Sequence, residues 1–301
     1  MSAASPSNLR ARVRAFVVLT KPRVMELLLV VTAPMMFLAG QSLPDPWLFL
    51  GTLIGGAMSA AAASSFNMYL DRDIDAQMQR TASRPLVTGE ITPRAALVFS
   101  WTLAVMSTVW LWLLINAATA ALSAFAIFFY VVVYTMILKR RTTQNIVWGG
   151  IAGCFPVLIG WAAVTGSVAW PSVALFLVVF FWTPAHYWPL SMRYSEDYRR
   201  VGVPMLGAVR GGRQVAGQVV VYTFATVACS LVLIPIGRMG LIYTAVAILA
   251  GGYFAAEAVF LLVASKDPRR QPRPMRVFHA SNVYLTVLFV AVAIDSLVHV
   301  W

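Results

Sequence analysis

The sequence predicts an all-α fold, a polytopic membrane helical bundle of about nine transmembrane helices. Of its 301 residues, 60% are hydrophobic and only 11% are charged, whereas an ordinary soluble domain carries about 25% charged residues. Apolar runs of about 20 residues, the length that a helix needs to cross the hydrocarbon core, recur along the whole chain. The composition therefore excludes a single water-soluble domain.

The predicted helices follow the apolar runs in order. They cover residues 24–40, 48–66, 95–115, 118–138, 146–166, 168–188, 214–236, 241–264 and 278–301. We expect residues 1–23 to form a cytoplasmic N-terminal segment and residues 24–301 to form a single membrane domain. Two adjacent glycines lie in the second run, at Gly55 and Gly56, and two in the fifth, at Gly149 and Gly150. Small residues let helices approach closely in lipid, so these positions predict tight helix contacts.

The distribution of basic residues predicts the topology. Of the 23 Lys and Arg residues, all except Arg238 fall in the N-terminal segment and in the connections that an odd helix count puts on the same side. The positive-inside rule makes this side cytoplasmic, which places the N-terminus inside a bacterial plasma membrane and the C-terminus outside. The net charge of +12 is spread over short clusters. It therefore predicts contact with the lipid bilayer and no nucleic-acid partner.

A polar stripe follows the second apolar run. Asn67, Asp71 and Asp75 are spaced by four residues, and a helix advances about 400° over four residues, so the three side chains share one face. Asp73 lies about 200° from Asp71 and should point elsewhere. Carboxylate and amide oxygens are the ligands that Mg²⁺ prefers, and Mg²⁺ adds water and substrate phosphates to complete its shell. The stripe therefore predicts a site for a magnesium-bound diphosphate.

Neighbouring connections extend this predicted site. Arg80 and Arg84 follow the stripe, and guanidinium groups can bind phosphate oxygens bidentately. Asp197, which follows the sixth helix, is a candidate ligand for a second magnesium. The predicted active-site loops are therefore residues 67–94 and 191–213.

Each of these features also has a structural interpretation. The acids of the stripe could pair with Arg72, Arg80 and Arg84 in a solvated loop, and Asp197 could pair with Arg193 or Arg200 at the membrane surface. Lys139 and Arg140 end the fourth helix, where phosphate binding and a role in topology are both open.

Short polar motifs are spread over nearly the whole chain. In order they are Leu-Thr-Lys-Pro-Arg-Val at 19–24, the stripe at 67–75, Arg-Thr at 80–81 with Arg-Pro-Leu-Val-Thr-Gly at 84–89, Leu-Lys-Arg-Arg-Thr at 138–142, Trp-Thr-Pro-Ala-His at 182–186, and Asp-Tyr at 197–198 with Gly-Val-Pro-Met-Leu at 202–206. Their order and spacing resemble those of the UbiA superfamily of membrane prenyltransferases. Within it they are most similar to the branch that farnesylates protohaem IX, the haem O synthases.

The resemblance implies a UbiA-type bundle that ionises farnesyl diphosphate and transfers the farnesyl group to a vinyl group of protohaem IX. It implies Mg²⁺ as the cofactor and haem as a substrate. It assigns catalysis and metal binding to Asn67, Asp71, Asp75 and Asp197. Substrate contacts are expected from Arg80, Arg84, Lys139, Arg140, Arg193, Tyr198 and His186. A haem A synthase or oxidase assembly factors are candidate partners.

The chain departs from the superfamily pattern at two motifs. Met68 stands where an acid often follows the asparagine, and Arg193 stands four residues before Asp197 in a motif that is usually richer in acid. These departures predict fewer metal ligands, or a direct phosphate contact from Arg193. His186 could contact the haem iron or a propionate, or it could be a hydrogen-bonded histidine between helices.

Other functions fit part of the pattern. A sister enzyme that acts on a quinone precursor or a chlorophyll-like ring would share the stripe. A transporter would show polar or broken segments near the middle of the membrane, whereas most of the predicted helices are uninterrupted there. A non-enzymatic haem assembly factor would not need the stripe. The sequence therefore favours prenyl transfer.

Overall fold

The computed structural model describes residues 9–267 and 269–298, and this part of the chain is helical without a strand. It contains nine helices that are long and apolar enough to cross a membrane, as the sequence predicts. They are α1 (Pro22–Gly40), α2 (Pro46–Leu70), α3 (Pro93–Leu114), α4 (Ala117–Leu138), α5 (Asn145–Thr165), α6 (Trp170–Arg193), α7 (Gly212–Ile236), α8 (Leu241–Lys266) and α9 (Pro274–Val298). The last predicted helix includes residues 299–301, which lie outside the described residues.

Local capping chemistry explains where several helices begin. The Asp45 carboxylate accepts hydrogen bonds from the backbone N–H groups of Trp47 and Leu48 at the start of α2. Thr92 caps α3 and Asn116 caps α4 in the same way. Such caps satisfy N–H groups that have no partner inside the helix. The five-residue connection before α2 and the two-residue connection before α4 are therefore enough to end one span and begin the next.

Glycines allow the closest helix contacts. A Cβ atom on Gly160 of α5 would lie 2.3 Å from the carbonyl oxygen of Thr32 on α1. One on Gly55 would lie 2.4 Å from Leu111 of α3, and one on Gly149 would lie 2.1 Å from Tyr134 of α4. The predicted tight contacts are confirmed at Gly55, Gly149 and Gly150, where an added Cβ atom would lie within 3 Å of a neighbouring side chain. The prediction is wrong at Gly56, where an added Cβ atom would meet no described atom within 4 Å.

Four short helices lie at the ends of the long ones. They are Leu9–Leu19 before α1, Arg72–Asp75 after α2, and Ser195–Arg200 and Leu206–Val209 between α6 and α7. In the first of them, Ala15 and Leu19 are buried in a cluster with Met68 and Leu86. The described part of the N-terminal segment, from Leu9 onwards, therefore packs against the residues that surround the polar stripe.

We expect Gly160→Ala to lower the free energy of unfolding by about 1–3 kcal/mol, because the new methyl group would overlap backbone atoms of α1 that have no room to move. Thermal unfolding of the purified protein in detergent would measure the loss. Gly56→Ala is the matched control, since a Cβ atom at Gly56 meets no atom within 4 Å in the described structure. Equal melting temperatures for both variants would contradict the close contact.

Candidate active site

A cavity of about 630 Å³ lies where the connections after α2 and α4 meet the start of α1. Its walls come from α1, α2, α4, α5, α6 and α9. One part of the wall is polar and carries the stripe of α2. The other part is apolar and is lined by Leu27, Leu28, Val31, Ile146, Val179 and Leu285.

Asn67, Asp71 and Asp75 line the cavity together, as their spacing predicts. The backbone N–H of Asp71 donates to the carbonyl oxygen of Asn67 at 2.9 Å, and that of Asp75 donates to the carbonyl oxygen of Asp71 at 2.8 Å. The helical pitch therefore continues past the end of α2 and keeps the three side chains on one face. Asp73 faces away from the cavity, and its side chain is 56% exposed.

The two carboxylates of the stripe are buried and paired. Asp71 and Asp75 are 0% and 2% exposed. Asp71 pairs with Lys139 from the end of α4, and Asp75 pairs with Arg84 at 2.5 Å. A buried charge is costly unless a partner compensates it. The stripe is therefore not a solvated loop, although the pairing with Arg84 that this interpretation expected is present at Asp75.

Lys21 is a site residue that the motif analysis did not single out. Its backbone has φ 51° and ψ 65°, in the left-handed region, directly before Pro22. This conformation directs the ammonium group into the cavity, where it donates to Asn67 Oδ1 at 2.6 Å. Burial, together with the nearby charges of Arg84 and Lys139, lowers the pKa of Lys21 to about 7. Only its place in the motif at 19–24 marks it in the sequence.

The second half of α4 is a π-helix from Phe129 to Leu138, in which the N–H of Lys139 bonds to the carbonyl oxygen of Tyr134, five residues back. In an α-helix, Tyr130 and Lys139 would lie about 180° apart. At about 4.4 residues per turn in a π-helix, they lie within about 20° of each other. Tyr130, Tyr134 and Lys139 therefore all line the cavity. Local sequence patterns do not report this change of pitch.

The polar end of the cavity carries an excess of positive charge. Five cationic side chains line it, against the two carboxylates of Asp71 and Asp75. The five are Lys21, Arg23, Arg80, Arg84 and Lys139. Because the rest of the wall is apolar, the cavity suits an amphiphile that has an anionic head and a hydrocarbon tail.

The stripe fits a magnesium ion. Asp71 Oδ1 is buried and has no hydrogen-bond partner within the described residues. The guanidinium nitrogen Nη2 of Arg140 lies 3.8 Å from this oxygen, which is too far for a hydrogen bond. An oxygen left in this state can accept a cation, and Asn67 and Asp75 offer oxygens on the same face. The described residues bring no third carboxylate into a metal-binding group, so water and phosphate would complete the shell.

Asp197 lies behind Arg80 and is absent from the residues that line the cavity. It is buried, and its Oδ2 accepts from the backbone N–H of Arg80 at 3.5 Å. Tyr198 lines the cavity, accepts from the Arg80 guanidinium at 3.5 Å and bonds to the Tyr187 hydroxyl at 2.9 Å. In this arrangement Asp197 positions Arg80, whereas the sequence places it among the metal ligands.

Arg140 and Arg193 lie outside the cavity, unlike the sequence expectation. Arg140 donates two hydrogen bonds to Asp73, at 2.6 and 2.7 Å, and this contact lowers the pKa of Asp73 to about 2. Adjacent residues at a helix end point in different directions, so Arg140 cannot join Lys139 in the cavity. Arg193 is exposed and ends α6 one turn beyond Leu190, the last α6 residue of the wall.

His186 lines the cavity from α6. Its Nδ1 lies 2.8 Å from Ser281 Oγ on α9, and its ring stacks with those of Trp182 and Phe278. His279, which follows Phe278 on α9, is exposed and does not line the cavity. The cavity thus has one imidazole among its lining residues.

Comparisons with known proteins agree with this architecture. The chain is 60% identical over 289 residues to the protoheme IX farnesyltransferase of Renibacterium salmoninarum, which covers 96% of this chain and 91% of the relative. Its fold is similar to that of a digeranylgeranylglyceryl phosphate synthase, with TM-score 0.76, 18% identity, and 95% and 99% of the two chains covered. It is also similar to that of a UbiA homologue from Archaeoglobus fulgidus bound to DMAPP and Mg²⁺, with TM-score 0.64, 16% identity, and 95% and 99% covered.

The family model agrees with the same assignment. The model of the UbiA prenyltransferase family matches residues 28–282, which include all the residues that line the cavity except those before Leu28 and Leu285 of α9. The chain belongs to the UbiA prenyltransferase family.

Proposed function

We propose that this protein transfers the farnesyl group of farnesyl diphosphate to a vinyl group of protohaem IX and so produces haem O and diphosphate. The observation that carries the proposal is the cavity itself, in which a cationic end with two buried carboxylates continues into an apolar pocket. A prenyl diphosphate has this division of charge and hydrocarbon. The name of the 60% identical relative supports farnesyl as the donor group and protohaem as the acceptor.

Asn67, Asp71 and Asp75 would hold the magnesium ion. Bound there, the ion would act as a Lewis acid on the diphosphate. The A. fulgidus homologue bound to DMAPP and Mg²⁺ supports the same pairing of metal and substrate class in this fold. In the proposed assignment, Asp197 acts through the backbone of Arg80.

The cations of the cavity would stabilise the leaving group. The bond between C1 of the farnesyl chain and the diphosphate oxygen breaks, and its electron pair stays on the diphosphate. Lys21, Arg80, Arg84 and Lys139 face the charge that develops there. The vinyl carbon of haem then bonds to C1, and water adds to the resulting cation and releases a proton, which leaves a hydroxyethylfarnesyl group.

The aromatic wall would protect the allylic cation. Tyr130 and Tyr134 lie on the π-helical face with their ring centroids 5.3 Å apart, next to the stripe. The negative faces of aromatic rings attract a cation, and a tightly packed wall limits the access of water before the haem carbon attacks.

The chain is an integral membrane protein. We propose that its N-terminus and the cationic end of the cavity face the cytoplasm of a bacterial cell, because all except one of its Lys and Arg residues lie at that end. A haem A synthase or an oxidase assembly factor as a partner stays a prediction.

The test of the function is mass spectrometry of pigments after the purified protein has been incubated with protohaem, farnesyl diphosphate and Mg²⁺. We expect a product that is heavier than haem by one farnesyl group and one hydroxyl group, because the added water loses a proton. A parallel incubation with a quinone precursor tests the sister activity. Prenylation of that precursor without any change in haem would contradict the proposal.

Asp71→Asn and Asp75→Asn should each lower kcat by about 10²–10³-fold, because each removes a buried negative charge that the metal and the cations require. Asp73→Asn is the matched control, since Asp73 faces away from the cavity and pairs with Arg140. Turnover and the melting temperature of all three variants would be measured together. Full activity of both Asp71→Asn and Asp75→Asn would exclude the metal role.

Lys139→Gln should weaken the use of farnesyl diphosphate by about tenfold or more in kcat/KM, since it removes a cation from the cavity wall. The neighbouring variant Arg140→Gln should change kcat/KM much less, because Arg140 binds Asp73 outside the cavity. Steady-state kinetics with varied farnesyl diphosphate would compare them. A larger loss in Arg140→Gln would reverse the assignment of the two residues.

A further inference from the structure

The imidazole of His186 is fixed by aromatic rings. Its centroid lies 4.2 Å from that of Trp182 at an interplanar angle of 14°, and 4.4 Å from that of Phe278 at 29°. Two rings cannot stack on the same face at these distances, so they cover both faces of the imidazole. Only the ring edge, which carries the two nitrogens, is left for other contacts.

Hydrogen bonding selects the tautomer of this imidazole. Ser281 Oγ lies 2.7 Å from the carbonyl oxygen of Phe278, which has no hydrogen to donate, so the serine hydroxyl donates to it. The same Oγ lies 2.8 Å from His186 Nδ1 and must accept that hydrogen bond. Nδ1 therefore carries the proton. The bonded partner of Nδ1 is a neutral hydroxyl, and no ion pair of His186 is present in the described part of the chain. Without a counter-charge inside an apolar bundle the ring is neutral, so Nε2 has a lone pair.

The second nitrogen opens onto the cavity. His186 is a lining residue, and Nε2 has no hydrogen-bond partner among the described residues. Nε2 is not among the fully buried polar atoms without a partner in the described residues, so it keeps some accessible surface. A ligand in the cavity can therefore reach it. The next residue of α6, Tyr187, also lines the cavity and bonds to Tyr198 beside Arg80. His186 therefore lines the same cavity as the cationic end.

We propose that Nε2 of His186 is an axial ligand of the iron in the porphyrin acceptor. The inference rests on the proposed function, because it requires protohaem to enter this cavity. A lone pair cannot bind a propionate, which needs a hydrogen-bond donor or a cation, so the tautomer separates the two roles that the sequence leaves open. Histidines that bind metals characteristically donate their other N–H to a fixed acceptor, as Nδ1 does to Ser281. Iron ligation would fix the porphyrin ring while its vinyl group meets the allylic cation.

Ferric protoporphyrin IX, titrated into the purified full-length protein in phosphatidylcholine nanodiscs, tests this ligation. Electron paramagnetic resonance and absorption spectra of the wild-type protein should show imidazole ligation. His186→Ala should lose this signature, and added imidazole should restore it. His279→Ala is the matched control and should keep the signature, since His279 lies outside the cavity.

Metal-free protoporphyrin IX provides a second comparison. His186→Ala should weaken the binding of the iron porphyrin by about tenfold or more and leave that of the metal-free porphyrin unchanged, because only the iron can accept the lone pair. If His186→Ala does not fold, Ser281→Ala serves instead. It should shift the iron–imidazole stretching frequency in resonance Raman spectra, because Nδ1 would lose its acceptor.

The outcomes separate this proposal from the proposed function. An unchanged imidazole signature in folded His186→Ala, or in Ser281→Ala an unshifted stretching frequency, would overturn the axial role and leave farnesyl transfer untouched. A wild-type protein that binds neither porphyrin would overturn the proposed function as well. Loss of the signature in His186→Ala with rescue by imidazole would establish the ligand.

Discussion

Two carboxylates are buried at the end of an apolar bundle, and the surrounding structure must supply positive charge to stabilise them. Asp71 and Asp75 would be unstable as charged groups without cations in contact, since burial removes the water that would otherwise stabilise them. Lys139 and Arg84 supply those cations. One comes from the end of α4 and the other from the connection after α2, so the ion pairs also determine how these segments meet. The ion pairs that neutralise the two carboxylates therefore also hold the end of α4 and the connection after α2 against the stripe.

The same balance prepares the cavity for its proposed ligand. The wall already holds more positive than negative charge, and burial together with the nearby cations Arg84 and Lys139 lowers the pKa of Lys21 to about 7. An anionic head group relieves this crowding when it enters. In the proposed complex the cations would turn towards phosphate oxygens and leave the carboxylates to hold the metal ion. Asp71 and Asp75 would then exchange one partner of positive charge for another, which would keep the cost of the exchange small.

The fold and the stripe could be predicted because both depend on local periodicity. Runs of apolar residues mark the helices, and the four-residue spacing places Asn67, Asp71 and Asp75 on one face whatever surrounds them. The roles of the basic residues could not be predicted in this way. Whether Lys139 or Arg140 enters the cavity depends on the pitch of the preceding turns, and Lys21 enters because of one left-handed backbone conformation. Neither feature has a signal in residue type or spacing.

Because the second half of α4 is a π-helix, the number of residues in this segment decides which side chains face the cavity. Loss of a single residue between 129 and 138 would let ordinary i→i−4 bonding resume without breaking the helix or exposing polar backbone. The span would still cross the bilayer. However, everything after the deletion would rotate, and Lys139 would turn away from the carboxylate of Asp71. We therefore expect natural variants of this segment to exchange side chains freely on its lipid face while conserving its length.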